Sequence, residues 1–298
     1  MYLITGAGGG IGSVSRTVVE LLVRDGELVR AMVHRDDERA QQLRELGAEV
    51  IVGDLTHAVD IVDALTGVRR VFFNMSVSPD YLLATTEVCA AALEHGQLEA
   101  MVNMSQMTVS QMSLTSTGES EHQRLHWLAE HVLNWSGLPV IHVRPTVFLE
   151  NPLFSMLGAH TVRSRGVLAL PFGTGRTSPI AAADVAAVVA AILRDPADRI
   201  GSVYELTGPE VLDIDGLAAQ FALALGRPVV AENLSADDER RVLGAVGLPE
   251  HVAHHIATMA RLHREDRYNR STDVVERILG RPPQSVAQYV VAHRHLFD

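Results

Sequence analysis

The sequence predicts an α/β protein built on a doubly wound parallel sheet. Three observations carry that prediction. A short apolar run, Tyr2-Leu3-Ile4, leads through a glycine-rich turn into a helical pattern. Apolar strands then alternate with amphipathic segments through the first half of the chain. Those segments are long enough to be the crossovers that join parallel strands.

The elements follow in order. Val14, Val18, Val19 and Leu22 recur at helical spacing over residues 13–22. Residues 27–34 (ELVRAMVH) read as a second strand, 39–46 as a helix closed by Gly47, and 49–52 as a third strand before Gly53-Asp54-Leu55. Residues 58–65 read as a short helix ending at Gly67, 70–75 (RVFFNM) as a fourth strand, and 81–94 as a long helix stopped near Gly96. A fifth strand at 100–105 (AMVNMS), a helix at 123–134 ended by Ser136-Gly137, and a sixth strand at 139–143 complete this half. The second half is looser. It reads as a strand at 167–170, a turn at Gly173-Thr174-Gly175, and an alanine-rich helix at 183–193 for which Asp184 is the expected cap. A strand at 202–206 and a helix at 213–225 closed by Gly226 come next. Residues 235–279 are helical with short breaks, and Arg281-Pro282-Pro283 turns the chain into a last helix at 286–296. We divide the chain into 1–150 and 151–298, a boundary of function more than of packing, because the later strands are expected to join or flank the same sheet.

Composition narrows the function classes. The 298 residues are 47% hydrophobic and 20% charged, which suits a globular protein with a sizeable core. No stretch approaches the roughly 20 apolar residues of a membrane span, so no membrane partner is expected. The chain opens directly into its first strand, so no signal peptide is expected and the expected location is cytoplasmic. Cys89, the single cysteine, lies in an apolar helical run and is expected to be a buried, inert thiol. The net charge of −11 argues against direct nucleic-acid binding. Arg240-Arg241 and the arginines of 261–270 are interleaved with acids and read as solvated helix faces. The sequence contains no lysine; all 25 basic residues are arginine.

A glycine-rich turn between a strand and a helix is a phosphate cradle. In Thr5-Gly6-Ala7-Gly8-Gly9-Gly10-Ile11-Gly12, Gly6 allows the tight turn and Gly9 lets backbone approach a pyrophosphate. Gly12 lets the helix pack close to the strand. Gly6, Gly8, Gly9, Gly10, Ile11 and Gly12 are therefore candidate dinucleotide contacts. An NAD-using chain carries an acid about 20 residues further on. Here that place holds His34 and Arg35, followed by Asp36. The arginine favours a 2′-phosphate and hence NADP(H) over NAD(H). The alternative is a solvated Arg35 with Asp36 serving NAD. Asp54 and Leu55 would flank the adenine, with Asn74 and Met75 beside the ribose.

TGAGGGIG at residues 5–12, VGDL at 52–55, SGLPVIHVRPTVFLEN at 136–151, the segment around Asp184, YELTGPE at 204–210 and the closing GRPPQSVAQYVVAHRHLF carry a resemblance. Together they resemble the NmrA-like, atypical branch of the short-chain dehydrogenase/reductase superfamily over essentially the whole chain. The resemblance implies a Rossmann-type sheet with a small, mostly helical C-terminal substrate lobe. It also implies that Pro145, Thr146 and Val147 lie along the nicotinamide, and that the stretch from Phe148 to Asn151 helps wall a substrate cleft.

The sequence departs from the wider superfamily at the proton donor. Reductases there use a Ser or Thr after the fifth strand and a Tyr-x-x-x-Lys pair on the next helix. None of the five tyrosines lies on that helix, and without lysine the pair cannot exist. The corresponding places hold His122 and His126, four apart and so on one face. Ser105 or Gln106 stands near the serine position. His122, His126 and Ser105 are the catalytic candidates, Ser105 also as a cofactor contact; Gln106, Met107, Phe148 and Asn151 are the substrate candidates. A histidine can donate a proton to a carbonyl near neutral pH. The alternative is a pair of half-exposed helix residues in a chain with 14 histidines. Residues 107–114 and 149–157 read either as a broad apolar pocket or as a core stripe. His251, His254 and His255 lack an evident further ligand and read as a surface helix, and no metal is expected. Glu130 is expected to make structural hydrogen bonds.

Three functions remain open. The first is an NADPH-dependent reductase of a ketone or quinone, a hydrophobic or aromatic carbonyl substrate of polyketide type. The second is a non-catalytic NADP(H) sensor that controls a regulator. The third is a structural subunit with a vestigial fold. A monomer or homodimer is expected.

Overall fold

The strands in chain order are β1 (Tyr2–Ile4), β2 (Val29–Val33), β3 (Glu49–Val52), β4 (Arg70–Phe73), β5 (Ala100–Met104), β6 (Val140–Pro145), β7 (Val167–Leu170), β8 (Val203–Leu206) and β9 (Val230–Asn233). The helices are α1 (Val14–Arg24), α2 (Glu38–Glu45), α3 (Ala58–Leu65), α4 (Tyr81–His95), α5 (Glu121–Trp135), α6 (Ala159–Arg165), α7 (Ala182–Arg194), α8 (Ile214–Leu225), α9 (Ala236–Ala245), α10 (Glu250–Arg264), α11 (Val274–Leu279) and α12 (Val286–Ala292). These come from a computed structural model that describes residues 1–245 and 247–298, without the side chains at 11, 236 and 242–245.

A seven-stranded parallel sheet has the order β3-β2-β1-β4-β5-β6-β8, and β7 pairs with β9 in a separate parallel ladder. β1, β2 and β5 are buried along their whole length, as strands covered on both faces must be. Leu3 stands opposite Arg30 on one side and Val71 on the other. The strand order reverses between β1 and β4, which makes this a Rossmann-type fold and places its switch point there.

The chain divides into two compact units. The first comprises Met1–Met112, Glu121–Arg144 and Val185–Glu205. One core cluster packs Leu3, Val71, Phe73 and Met101 of the sheet against Ile61 and Leu65 of α3, Val88 of α4 and Leu133 of α5. Cys89 belongs to it, and burial pushes its thiol up to about 11, so it stays neutral. Caps define several ends: Asp37 accepts from the N–H groups of Arg39 and Ala40 at the start of α2, and Gly96 closes α4.

The second unit comprises Ser113–Ser120, Pro145–Asp184 and Leu206–Asp298. Its core gathers Leu153, Phe154, Leu168, Phe172, Phe221 and Phe297. Three features depart from the sequence reading. β9 was not expected; its two ends, Val230 and Asn233, are exposed and give little strand patterning. A π-helical turn at Leu153–Gly158 runs directly into α6 where the sequence showed only an apolar stretch. The segment expected as one last helix ends at Ala292, with a 3₁₀ turn over Arg294–Leu296. Asp184 is also not a cap. It lies inside the first turn of α7, where its carboxylate accepts from the Gln284 N–H (2.6 Å) and pairs with Arg281 (2.8 Å), tying the 281–284 turn to the helix. The segment 113–120 is held on α10 and the turn after it. Arg261 donates to Gly118 O, Arg267 pairs with Glu119 (3.0 Å), and Ser120 Oγ bonds His255 Nδ1 (2.8 Å).

His263 sits fully buried between Phe172 and Tyr268, with ring centroids 4.0 and 3.9 Å away and nearly parallel planes. Its Nδ1–H donates to Met259 O (2.7 Å). Burial pushes its pKa down to about 3, so it is neutral in the fold while the unfolded chain takes a proton near 6.5. Stability present above pH 6.5 is therefore lost as pH falls towards 3, at about 1.4 kcal/mol per pH unit. Urea unfolding at pH 7 and pH 5 should show His263→Phe losing about 2 kcal/mol less than the parent over that interval; equal losses would refute the assignment.

Candidate functional site

The site begins in backbone. Where the chain leaves β1, Thr5 Oγ1 donates to Asn74 O (2.8 Å) and accepts from the Asn74 N–H (2.9 Å), locking the turn to the end of β4. Gly6 follows at φ +65°, and a Cβ there would stand 2.7 Å from Asn74 O, closer than real contacts allow. Gly9 has φ +92°, and the nearest atom to a Cβ there would be Ser13 Oγ at 3.8 Å. Its glycine is required by conformation, since a Cβ there would make only an ordinary contact.

This turn floors a cleft of ≈ 470 Å³ at the carboxyl ends of β1 to β4. Gly6, Gly8 and Gly9 line it from β1, and His34, Arg35, Asp37 and Arg39 from the end of β2. Gly53 to Thr56 line it after β3, and Met75, Ser76, Ser78 and Asp80 after β4. Ligands of open parallel sheets bind in such a crevice at the switch point.

The charges beside β2 are sorted. Asp36 pairs with Arg44 (2.8 Å), and Asp37 with Arg39 (2.5 Å). Hydrogen bonds from those arginines hold both carboxyls below the usual range. Arg35 is exposed in the cleft and, among the described residues, pairs with no carboxylate. Just past β3, Asp54 accepts from the Thr56 N–H and hydroxyl, which keep it ionised, with His34 Nδ1 at 3.8 Å.

Of the expected cofactor contacts, Gly6, Gly8, Gly9, His34, Arg35, Asp54, Leu55 and Met75 line the cleft. Gly10, Gly12 and Ser105 do not line it, and the Ile11 side chain lies outside the described residues. Asn74 holds the turn: its amide donates to Ser15 Oγ (2.9 Å) and its backbone holds Thr5. Sequence reasoning passed over Asp37, Arg39, Ser76, Ser78 and Asp80, whose signal is only a polar run just past a strand end.

The second group lies on α5. His122, His126, Glu130 and Asn134 recur every four residues and form one stripe. Two positions of β6 and the residue just past β5 meet its lower half. Arg144 of β6 grips Glu130 with two bonds (2.9 and 2.5 Å). Burial works to raise the Glu130 carboxyl, but Arg144 outweighs it, with Ser105 adding, and the group stays ionised. Ser105 is close enough to contribute, though its Oγ falls outside strict hydrogen-bond geometry. His142 accepts at Nδ1 from the Asn103 amide (3.0 Å) and donates from Nε2 to Asn134 Oδ1 (3.0 Å). That assignment makes it neutral, and burial keeps its pKa low.

The upper half carries the histidines. They are buried, not half-exposed: His122 is 9% and His126 5% accessible. Their Nε2 atoms are 3.0 Å apart. Tyr81 of α4 packs on both, 4.2 Å from the His126 ring and 5.6 Å from His122, and its hydroxyl donates to Met104 O (3.1 Å). Tyr81 is a neighbour that chain order hides. Gln106 is half-buried and Met107 fully buried.

In the second unit, Pro145, Thr146 and Val147 are buried and Phe148 is half-buried beside Ile180. Asn151 accepts from the Leu153 N–H (3.0 Å) and so holds the π-helical turn. Leu149, Leu153, Phe154 and Leu157 belong to the core, which settles that stretch as a core stripe. His255 is buried on Ser120, which corrects the surface-helix reading for that residue, while His251 and His254 are exposed. Among the described residues, no helix is long and apolar enough to cross a membrane.

Replacing Glu130 by Gln removes the charge that balances Arg144 in a site where Glu130 is 3% accessible. Breaking such a buried pair should cost about 3 kcal/mol in urea unfolding at pH 7, whereas a loss under about 1 kcal/mol would mark the pair as solvated.

Known proteins can now be set beside this geometry. The chain is 28% identical over 291 residues to an NAD(P)H azoreductase of Xenophilus azovorans, covering 97% of each protein. It is 29% identical to a (4-alkanoyl-5-oxo-2,5-dihydrofuran-3-yl)methyl phosphate reductase of Streptomyces griseus, covering 100% of this chain and 99% of that protein. The crystal structure of the NADPH-dependent quinone oxidoreductase QOR2 from Escherichia coli, complexed with NADPH, superposes with a TM-score of 0.83 at 25% identity over the whole of both chains. The model of the NmrA-like family matches residues 2–290. The chain belongs to the NmrA-like family.

Proposed function

We propose that the chain is an NAD(P)H-dependent reductase that uses NADP(H) and passes hydride to a ketone or quinone on a small hydrophobic or aromatic molecule. The observation that carries the cofactor reading is the sorted charge beside β2. Both aspartates there are engaged by Arg39 and Arg44, and among the described residues no carboxylate pairs with Arg35 in the cleft. A guanidinium fork matches a 2′-phosphate, and an engaged carboxylate is a poor partner for a ribose hydroxyl. Gly9 lines the cleft, and a glycine there lets a pyrophosphate approach the backbone. The whole-length likeness to three reductases supports the reaction class.

When bound, the reduced nicotinamide supplies the hydride. The chain's own residues supply orientation and the proton. We assign cofactor holding to residues 1–150 and the substrate lobe to 151–298. Pro145, Thr146 and Val147 are proposed to border the nicotinamide, and Gln106, Met107, Phe148 and Asn151 the substrate. Ser105 orients the substrate, and His122 or His126 gives the proton that tyrosine gives elsewhere in the superfamily. The missing tyrosine–lysine pair favours a second reading, a sensor that binds NADP(H) without turnover.

Calorimetry and steady-state assays separate the two. Arg35→Ala should weaken NADPH binding about 10- to 100-fold, the worth of one charge-assisted contact, and leave NADH nearly unchanged; equal effects on both would remove Arg35 from the 2′-phosphate. NADPH oxidation against a panel of quinones, ketones and azo dyes should show turnover. Tight binding with no turnover on any member would favour the sensor.

A further inference from the structure

We propose that Asp37 sets how strongly this chain prefers NADPH to NADH, by masking Arg39, a second guanidinium on the wall of the cleft past β2. That role rests on the NADP(H) reading above and adds to it a residue that holds the preference down.

Asp37 divides its two oxygens between two tasks. Oδ1 accepts from the backbone N–H groups of Arg39 (3.0 Å) and Ala40 (3.4 Å) and so caps α2. Oδ2 accepts from Arg39 Nε (3.0 Å) and Nη2 (2.5 Å). Only the first task belongs to the helix. The second cancels a cation in the cleft, because Asp37 and Arg39 both line it beside Arg35. Asp36 and Arg44, the neighbouring pair, are not among the lining residues. Arg35 and Arg39 together bring a formal charge of +2 to this wall, and Asp37 reduces it to +1.

The two cofactors differ by one group. NADPH carries a 2′-phosphate with close to two negative charges, and NADH carries a hydroxyl there. The charge of the wall past β2 therefore acts on the difference between them. Asp37 weakens the phosphate in two ways: it competes for the Arg39 fork, and it stands as a like charge beside the anion. The pair is open to solvent, with Arg39 56% and Asp37 36% accessible, so its attraction is screened and a phosphate can share the guanidinium. Asp37 thus attenuates Arg39 without removing it. A neutral ribose hydroxyl feels little of either effect.

Asparagine separates the two tasks. Its side-chain oxygen caps a helix about as well as that of aspartate, while it brings no charge to hold a guanidinium. The test is calorimetric titration of the full chain with NADPH and with NADH, on the parent, Asp37→Asn, Arg39→Ala and the double variant. The formal charge of the wall is then +1, +2, 0 and +1 in that order. NADPH should bind about 10-fold tighter to Asp37→Asn, about 10-fold weaker to Arg39→Ala, and within about 2-fold of the parent to the double variant. NADH should stay within about 3-fold throughout. The gain in Asp37→Asn should shrink between about 0.05 and 0.5 M salt, as a screened charge effect must. Asp37→Ser, which also retains a capping oxygen, repeats the arm if the asparagine variant fails to fold. NADPH binding that is unchanged or weaker in Asp37→Asn, or NADH gaining as much as NADPH, would overturn the mask. Arg35→Ala keeps this result apart from the reading beneath it. If that variant loses NADPH selectively and Asp37→Asn changes nothing, the mask alone falls. If the charge series holds while Arg35→Ala acts equally on both cofactors, Arg35 loses the 2′-phosphate and Arg39 takes it. A parent chain that binds neither dinucleotide overturns both.

Discussion

The structure of the first unit depends on one crowded point, the contact between Thr5-Gly6 and the end of β4. β1 lies at the centre of the sheet, paired on both sides, and the strand order reverses beside it. A chain leaving such a strand must turn at once. Thr5 makes the turn by exchanging hydrogen bonds with the Asn74 backbone, and Gly6 is the residue that can follow, because Asn74 O occupies the place of a Cβ. The same Asn74 reaches Ser15 and so steadies the start of α1. A larger residue at Gly6 would push β4's end away and with it the Met75–Asp80 wall of the cleft. The cleft is thus a consequence of backbone crowding before it is a matter of side chains.

Electrostatics in this chain are the electrostatics of guanidinium. With no lysine, every side-chain cation apart from histidine is a planar fork with fixed donors. The results are paired contacts: Arg30 on Glu49 and on the carbonyls of Ala64 and Thr66 at the end of α3, Arg165 on Glu232, and Arg144 on Glu130. Beside β2 the same habit separates the aspartates from the cleft. Arg39 and Arg44 occupy Asp37 and Asp36, while Arg35 stands exposed in the cleft.

What could be read from the chain, and what could not, follows from the range of each interaction. Local patterns found β3, α3 and β7 to the residue, because an apolar run bounded by glycine or a turn is a short-range signal. The glycine turn, Arg35 and Asp54 were legible for the same reason, since distance along the chain from the turn stands in for place at the strand ends. Tyr81 was not legible: it joins the histidine pair through the packing of α4 on α5, some forty residues later in sequence. Asp184 reads as a cap from its place at a helix start, but its carboxylate answers to Gln284 and Arg281 at the far end of the chain. β9 escaped because its exposed ends break the apolar pattern that marks strands. The residues at 37, 39 and 76–80 escaped because polar loop residues look alike until the strand ends bring them to one wall.

The inner stripe of α5 separates structure from chemistry. A helix covering a parallel sheet ordinarily buries an apolar face. Here the buried face holds His122, His126 and Glu130. Glu130 is met by Arg144, and Asn134 by His142, so the lower half of the stripe is a satisfied ion pair and a hydrogen-bonded chain into the sheet. Those contacts need charge and donors and have structural reason enough. The histidines are different in kind. Leucine or methionine could fill comparable volume against Tyr81 without the desolvation of two imidazoles. Departures from a local packing rule are expected where a site is at work. Tyr81 is placed to orient the rings and, as a fully buried phenol bonded to backbone, cannot act as the acid itself. The two imidazoles instead meet each other, Nε2 to Nε2 at 3.0 Å, a polar contact that offsets part of the cost of their burial.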